Sequence, residues 1–323
     1  MTLPFIVAAD VSDRLTWRGV VSALRAGHAG RAGHAEGRPR LDDSLLSRGG
    51  EAVLSRVAWI DGLGIGVKTA TVFPGNAAAD PPGPSVQALM TLFDDATGAP
   101  TAVLDGVLVT DWKTAADSAL GASLLARPDS RVLTVIGAGT VARNLIAAHR
   151  AVLPGLERVM IWNRTAARAH ALAEGLRAEG LGAVDVEAVS DLPAAVGRSD
   201  IVACATMATA PVLLGDWVRP GTHVDLVGAY RPDMREADDA LIAKARLFAD
   251  CRETTIDHIG EFMIPIAAGV IGRDALLGDL HDLCAGAVGR RDAGEVTLFK
   301  NGGGAHLDLM VARHIVSLVP GRG

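Results

Sequence analysis

Arg131-Val-Leu-Thr-Val-Ile-Gly137-Ala-Gly139-Thr-Val-Ala142 decides the fold of this 323-residue chain. An apolar run leads straight into the spacing G-x-G-x-x-A, and a helical pattern over residues 141–152 follows it. Each small residue has a physical task in a strand–turn–helix unit that binds a dinucleotide. Gly137 permits the tight turn, Gly139 lets backbone approach a pyrophosphate, and Ala142 allows helix to pack closely on strand. The helix start, at Thr140 and Val141, offers N–H groups and a positive dipole end to the phosphates. Alone the spacing is weak; the strand before it and the helix and second strand after it make it specific.

The second strand bears on which dinucleotide binds. Proteins that take NAD usually end it in Asp or Glu, which hydrogen-bonds the ribose 2′-hydroxyl. Here it reads Val159-Met-Ile-Trp162-Asn163-Arg164-Thr165, with no carboxylate and an arginine where a 2′-phosphate would lie. A guanidinium fork suits a phosphate, so NADP(H) is expected rather than NAD(H). Arg168, one helical turn on, is either a second phosphate contact or a solvated helix residue. With Thr206 and Gly228, the expected cofactor-binding set is Gly137, Gly139, Thr140, Val141, Ala142, Asn163, Arg164, Thr165, Arg168, Thr206 and Gly228.

Working outward, strand patterns near 131–136, 158–162, 184–189, 200–205 and 222–227 alternate with helical ones, notably 141–152 and 166–179. That alternation predicts a parallel, doubly wound sheet. Upstream, apolar runs at 53–60, 66–72, 86–94 and 101–108, separated by turn residues, predict a mostly antiparallel sheet. Helical texture starts at Thr114. After Val296 come a short strand, a Gly cluster at 302–304 and a last helix through 309–319. Residues 28–40 are Gly-rich and read as a loop, with His28 and His34 as solvated side chains.

Composition narrows the function classes. The chain is 49% hydrophobic and 21% charged, which fits a soluble globular protein. A net charge of −6 argues against a nucleic-acid surface, which needs concentrated Lys and Arg. No apolar run reaches the roughly 20 residues needed to span a bilayer, and residues 1–10 read as a first strand rather than a signal peptide. No membrane partner and a cytoplasmic location are therefore expected. Cys204, Cys251 and Cys284 fit no zinc or disulfide spacing, so buried thiols and no metal are expected.

Several further stretches, in one order, carry a resemblance. They are Gly66-Val-Lys68-Thr-Ala-Thr-Val-Phe-Pro74-Gly-Asn76, Pro84-Ser85-Val-Gln87, Asp95-Ala-Thr-Gly98-Ala-Pro100, Leu104-Asp105-Gly106, Lys113-Thr-Ala-Ala116-Asp-Ser-Ala119 and Thr297-Leu-Phe-Lys300. With the nucleotide fingerprint, they make the chain resemble the ornithine cyclodeaminase/mu-crystallin family from about residue 40 onward. The resemblance implies an α/β fold in which a Rossmann dinucleotide-binding domain is inserted into a split α+β substrate and dimerisation domain. The expected division is 1–113 and 297–323 for the split domain and 114–296 for the insert. It also implies a homodimer, and hydride transfer between the nicotinamide and a carbon bearing a carboxylate and a nitrogen.

By the same resemblance, the cations that hold the substrate carboxylate fall on Arg40, Lys68 and Lys113, and Asp308 returns to the active site or the nucleotide edge. Lys113 departs from the family's usual arginine, which keeps the charge and loses the bidentate fork. Tyr230 stands where cyclodeaminases carry a catalytic Asp, and a phenol is a poor substitute for a carboxylate. The run Arg231-Pro-Asp-Met-Arg-Glu236 instead resembles the ketimine-reductase branch.

The expected activity is NADPH-dependent reduction of a cyclic imino acid: Δ1-pyrroline-2-carboxylate to proline, Δ1-piperideine-2-carboxylate to pipecolate, or both. Lys68 is the expected proton donor, its pKa lowered by nearby cations. The alternatives are an alanine-type dehydrogenase, an ornithine cyclodeaminase and a non-catalytic NADPH-dependent binding protein. Three retained cations argue against the last.

Overall fold

The computed structural model describes residues 3–29, 38–180 and 184–320. The chain divides into two compact units, Met1–Lys113 with Gly304–Gly323, and Thr114–Gly303. His34 lies outside the described residues.

The first unit holds β1 (Phe5–Ile6), β2 (Arg40–Arg48), β3 (Glu51–Ile60), β4 (Gly64–Val72), β5 (Val86–Phe93) and β6 (Pro100–Asp105). They form one sheet in the order β1-β6-β5-β4-β3-β2, antiparallel except for the parallel β1–β6 pair. Gly49-Gly50 closes the β2–β3 hairpin with Arg48 opposite Glu51, and Gly49 adopts φ +60 as a two-residue hairpin turn requires. The helix Ala305–Ser317 packs on β3, β4 and β5, and the helix Trp17–Ala29 packs on it in turn. Both approaches are close. A Cβ on Gly66 would lie 3.2 Å from Leu309 Cβ, and one on Gly27 would lie 2.5 Å from Met310 Sδ.

Sequence texture misjudged three features of this unit. Strand β2 and the helix Trp17–Ala29 were not expected, and the first strand expected within residues 1–10 is present but confined to Phe5–Ile6, followed by a 3-10 turn at Ala8–Asp10. His28 is fully buried in that helix, where its Nδ1 donates to the Leu24 carbonyl at 2.7 Å, rather than solvated in a loop. The helix predicted from Thr114 starts at Gly106 and runs to Leu125, so residues 106–108 are helical. There the Asp105 carboxylate accepts the Val107 N–H at 2.9 Å and ends the strand.

The second unit holds β7 (Val132–Ile136), β8 (Arg158–Trp162), β9 (Asp185–Ala188), β10 (Ile201–Cys204), β11 (His223–Leu226), β12 (Arg246–Ala249), β13 (Leu276–Gly278) and β14 (Thr297–Lys300). They form a parallel sheet in the order β13-β12-β14-β11-β10-β7-β8-β9. From β7 the chain winds outward through β8 and β9, then returns to lay β10 on β7's other side. That reversal is the switch point where such sheets bind ligands. The inner strands are buried on both faces, as in Leu133, Val135, Val159, Ile161, Val202, Val224 and Leu298, while the edge strands β9 and β13 are partly exposed.

β14 lies between β11 and β12, inside the parallel sheet. The expected boundary at 296 is corrected accordingly: the second unit runs on to Gly303, because this strand's ladder partners all belong to it. Cys204 and Cys251 are buried and Cys284 is half-buried. Among the described residues, no helix is long and apolar enough to cross a membrane.

Candidate functional site

In the second unit, β7 runs into the turn Gly137-Ala138-Gly139 and the helix Thr140–Val152. Gly137 adopts φ +129, and a Cβ there would lie 2.6 Å from the Ala205 carbonyl oxygen. Only glycine fits such a position. A Cβ on Gly139 would meet nothing within 4 Å, so backbone is open to a ligand there. No side chain caps the helix, which leaves the first-turn N–H groups of Thr140 and Val141 without an intrahelical acceptor. Ala142 is buried against the strand.

A cavity of about 370 Å³ lies at this turn. Gly137, Gly139, Trp162, Asn163, Arg164, Thr165, Arg168 and Thr206 line it, with Ala205, Met207 and Ala208. Asn163 Nδ2 donates to the Thr165 carbonyl at 3.0 Å and shapes the loop after β8. Arg164 and Arg168 are exposed at the cavity and make no ion pair among the described residues. Open backbone, uncapped N–H groups and two unengaged guanidiniums fit a phosphorylated dinucleotide.

Two expected cofactor residues have another duty. The Thr206 N–H and hydroxyl both donate to Glu236 Oε1, at 2.7 and 2.8 Å, and the Gly228 N–H donates to Glu236 Oε2 at 2.6 Å. Gly228 does not line the cavity, and its N–H is spent on a buried carboxylate. It is glycine because a Cβ would press on Thr206 backbone and lie 2.7 Å from Glu236 Oε1. Glu261 accepts the N–H groups of Glu236 and Ala237, both at 2.9 Å.

Burial, reinforced by the Glu236 charge and opposed by Lys300, pushes the Glu261 carboxyl from 4.5 up to about 7. A raised carboxyl stabilises the fold fully below its unfolded value and loses that contribution as pH rises through its folded value. Melting temperature is therefore expected to fall between about pH 4.5 and about pH 7, and Glu261→Gln to flatten that slope. Thermal melts of both chains across the window check this, and an identical slope in the variant would sink the assignment.

In the first unit, Lys68 Nζ donates to Asp308 Oδ1 at 2.7 Å and to Thr110 Oγ1 at 3.3 Å. Lys68 and Lys113 are 6% and 5% exposed, and Asp308 is fully buried. Gly66, two residues before Lys68, lets the helix Ala305–Ser317 come close enough to make the pair. Burial lowers the Lys68 pKa, with Lys113 and Arg56 adding to the effect and Asp308 opposing it. Burial alone would raise the Asp308 carboxyl, but Lys68, Lys113 and Arg56 together hold it below the usual carboxylate range. Asp308 Oδ2 has no hydrogen-bond partner among the described residues.

Arg40 does not join this group. It is exposed and paired with Asp61 at 2.7 Å, with its guanidinium over Trp59. Side chains alternate between faces along a strand, and Arg40 stands opposite Trp59 while Arg56 stands opposite Lys68. Positions 56 and 59 are an odd number apart, so Arg40 is on the other face. The third cation is Arg56, half-buried and paired with Asp43 at 2.7 Å. Three cations against two carboxylates leave room for one further negative charge.

His306 is fully buried, its ring edge-on to His28 with centroids 5.6 Å apart. Tyr230 is exposed, with the Arg231 guanidinium over its ring.

The family described as ornithine cyclodeaminase/mu-crystallin matches residues 32–320. The chain is 55% identical over 318 residues to a Δ1-pyrroline-2-carboxylate reductase of Paracoccus denitrificans (strain Pd 1222), covering 98% of this chain and 97% of that one. Its fold is similar to that of Thermococcus litoralis Δ1-pyrroline-2-carboxylate reductase, solved with NADH and L-proline. The TM-score is 0.88 at 27% identity, over 97% of this chain and 96% of that one. An archaeal alanine dehydrogenase dimer with bound NAD gives a TM-score of 0.88 at 26% identity, over 98% and 96%.

Proposed function

The chain belongs to the ornithine cyclodeaminase/mu-crystallin family, and on that premise we propose that it reduces cyclic ketimine carboxylates with NADPH, Δ1-pyrroline-2-carboxylate to L-proline and Δ1-piperideine-2-carboxylate to L-pipecolate. The observation that carries the reading is the buried Lys68–Asp308 pair, flanked by Lys113 and Arg56, with Asp308 Oδ2 left unpartnered. The surplus positive charge suits one carboxylate, and the open carboxylate oxygen suits one N–H donor.

Lys113 and Arg56 hold the substrate carboxylate and fix the imine carbon. Lys68, its pKa lowered by burial, gives a proton to the imine nitrogen. Asp308 Oδ2 accepts the N–H so formed. When bound, the reduced nicotinamide supplies the hydride that this carbon receives. Ring size is a weak discriminator, since one methylene in a pocket is worth about 1–3 kcal/mol.

The preference for NADPH rests on this chain's own Arg164, since the T. litoralis relative was solved with NADH. Replacing Arg164 by Ala is expected to weaken NADPH binding about tenfold or more, the value of a charge-assisted phosphate contact. NADH binding should change less than about twofold on the same grounds. Fluorescence titration of both cofactors checks this, and equal losses refute the 2′-phosphate assignment. A homodimer is also proposed. Phe5, Leu45, Leu46, Val86 and Leu89 are exposed on strands of the first unit's sheet, an apolar set that suits a second copy.

The decisive assay follows NADPH oxidation with each cyclic imino acid in turn, with NADH, pyruvate plus ammonia, and ornithine plus NAD as controls. Rapid oxidation with either ketimine supports the reading. Activity confined to pyruvate plus ammonia, or to ornithine, overturns it.

A further inference from the structure

Glu236 has no place in the chemistry above, yet it is the most heavily engaged carboxylate at the switch point. The β10–β11 ladder runs from Ile201 opposite His223 to Cys204 opposite Leu226, and the Val227 N–H still donates to the Cys204 carbonyl at 2.9 Å. From there until the Arg235 N–H donates to the Ala208 carbonyl at 3.2 Å, no backbone bond joins the two chains directly among the described residues. One carboxylate bridges them instead, with Oε1 on both donors of Thr206 and Oε2 on the Gly228 N–H. The bridge is itself held rigid. Glu261 takes the N–H groups of residues 236 and 237, and the Glu236 carbonyl accepts from Val212 and Leu213 at 2.9 and 3.0 Å. Glu236 and Glu261 are fully buried, so neither can touch a ligand.

Position in the sheet says what the bridge supports. A dinucleotide lies across the switch point, with its adenosine ribose at the end of the second strand. Here that side of the cavity is lined by Trp162, Asn163, Arg164 and Arg168, after β8. The nicotinamide half therefore lies on the β10 side, where Ala205, Thr206 and Met207 line the same cavity.

We propose that Glu236 is a positioning residue for the nicotinamide half of the dinucleotide, acting through Thr206 by tying the chain after β10 to the chain after β11. The proposal rests on the dinucleotide reading of this cavity. A carboxylate is required because three donors converge on it and it presents none. Glutamine would turn an NH2 group against an N–H, and aspartate is one methylene too short to span both chains.

The test compares two probes on Glu236→Gln, a change that keeps side-chain volume. NADPH carries both halves, whereas 2′-phospho-ADP-ribose lacks the nicotinamide. The variant is expected to bind NADPH about tenfold more weakly, as for the loss of a hydrogen bond to a charged group, with binding of the fragment unchanged. In turnover, kcat should fall while KM for the imino acid stays put. A merely structural role would lower both probes together, and that result, like no change in either, overturns the proposal. If Glu236→Gln does not fold, Glu261→Gln loosens the same bridge from behind and should show the same split at smaller size; a uniform loss or none there overturns it equally. Failure of the unsubstituted chain to bind either probe would instead overturn the dinucleotide reading, and this proposal with it.

Discussion

Lys68→Met is expected to lower kcat by about 10³-fold while leaving NADPH affinity unchanged. General acid catalysis by a positioned side chain contributes about 10²–10⁴-fold, and methionine keeps the length of the stem without a transferable proton. The residue is nine-tenths buried, so solvent cannot easily stand in as the donor. Fold stability should suffer little, because Asp308 keeps Lys113 and Arg56 as compensating charges. Single-turnover kinetics with a cyclic imino acid, beside an NADPH titration, measure both halves. Full activity would remove Lys68 from the proton path; loss of cofactor affinity alongside turnover would mean that the substitution disturbs more than the first unit's site.

Asp308→Leu is expected to cost both stability and turnover, and the size of the first loss is diagnostic. Removing one partner of a buried ion pair typically costs about 3–5 kcal/mol, because the remaining charge is left uncompensated. Here Lys68, Lys113 and Arg56 would all lose their shared buried counter-charge, whereas Lys68→Met removes only one of three cations. Combining Lys68→Met with Asp308→Leu replaces the pair by apolar groups and should recover the part of the lost stability that belongs to Lys68, while Lys113 and Arg56 remain without Asp308. It should recover none of the activity. Denaturant unfolding of the two single variants and the double variant, read as a cycle, gives the coupling directly. Additive losses would mean that the 2.7 Å contact carries no energetic coupling.

Much of this protein was legible before any tertiary contact was known. The parallel alternation around residues 131–227 shows in the sequence because each strand and helix is a contiguous stretch whose apolar period survives on its own. The nucleotide turn is legible for the same reason: Gly137, Gly139 and Ala142 act within six residues, so their spacing is their geometry. β2 carried a local signal too, in Gly49-Gly50 before the expected run 53–60, but the loop-like texture of residues 28–40 hid the strand itself. β12 and β13, of four and three residues, are too short to show a period at all.

What the amino-acid order determined by itself was thus the α/β architecture, the dinucleotide turn and the chemical character of Lys68, Lys113 and Asp308. Only the tertiary structure decided who stands beside whom. Arg40 and Arg56 are equally plausible cations in one dimension, and strand register alone puts Arg56 on the Lys68 face and Arg40 on the other. Lys68 meets Asp308 across 240 positions, and Glu236 reaches Thr206 across 30. His28 looked like a solvated loop residue and is core. The physical reason is common to all of these. Backbone propensity and apolar period are local properties, whereas pairing, burial and pKa depend on neighbours that arrive from distant sequence, and one residue of register is enough to exchange them.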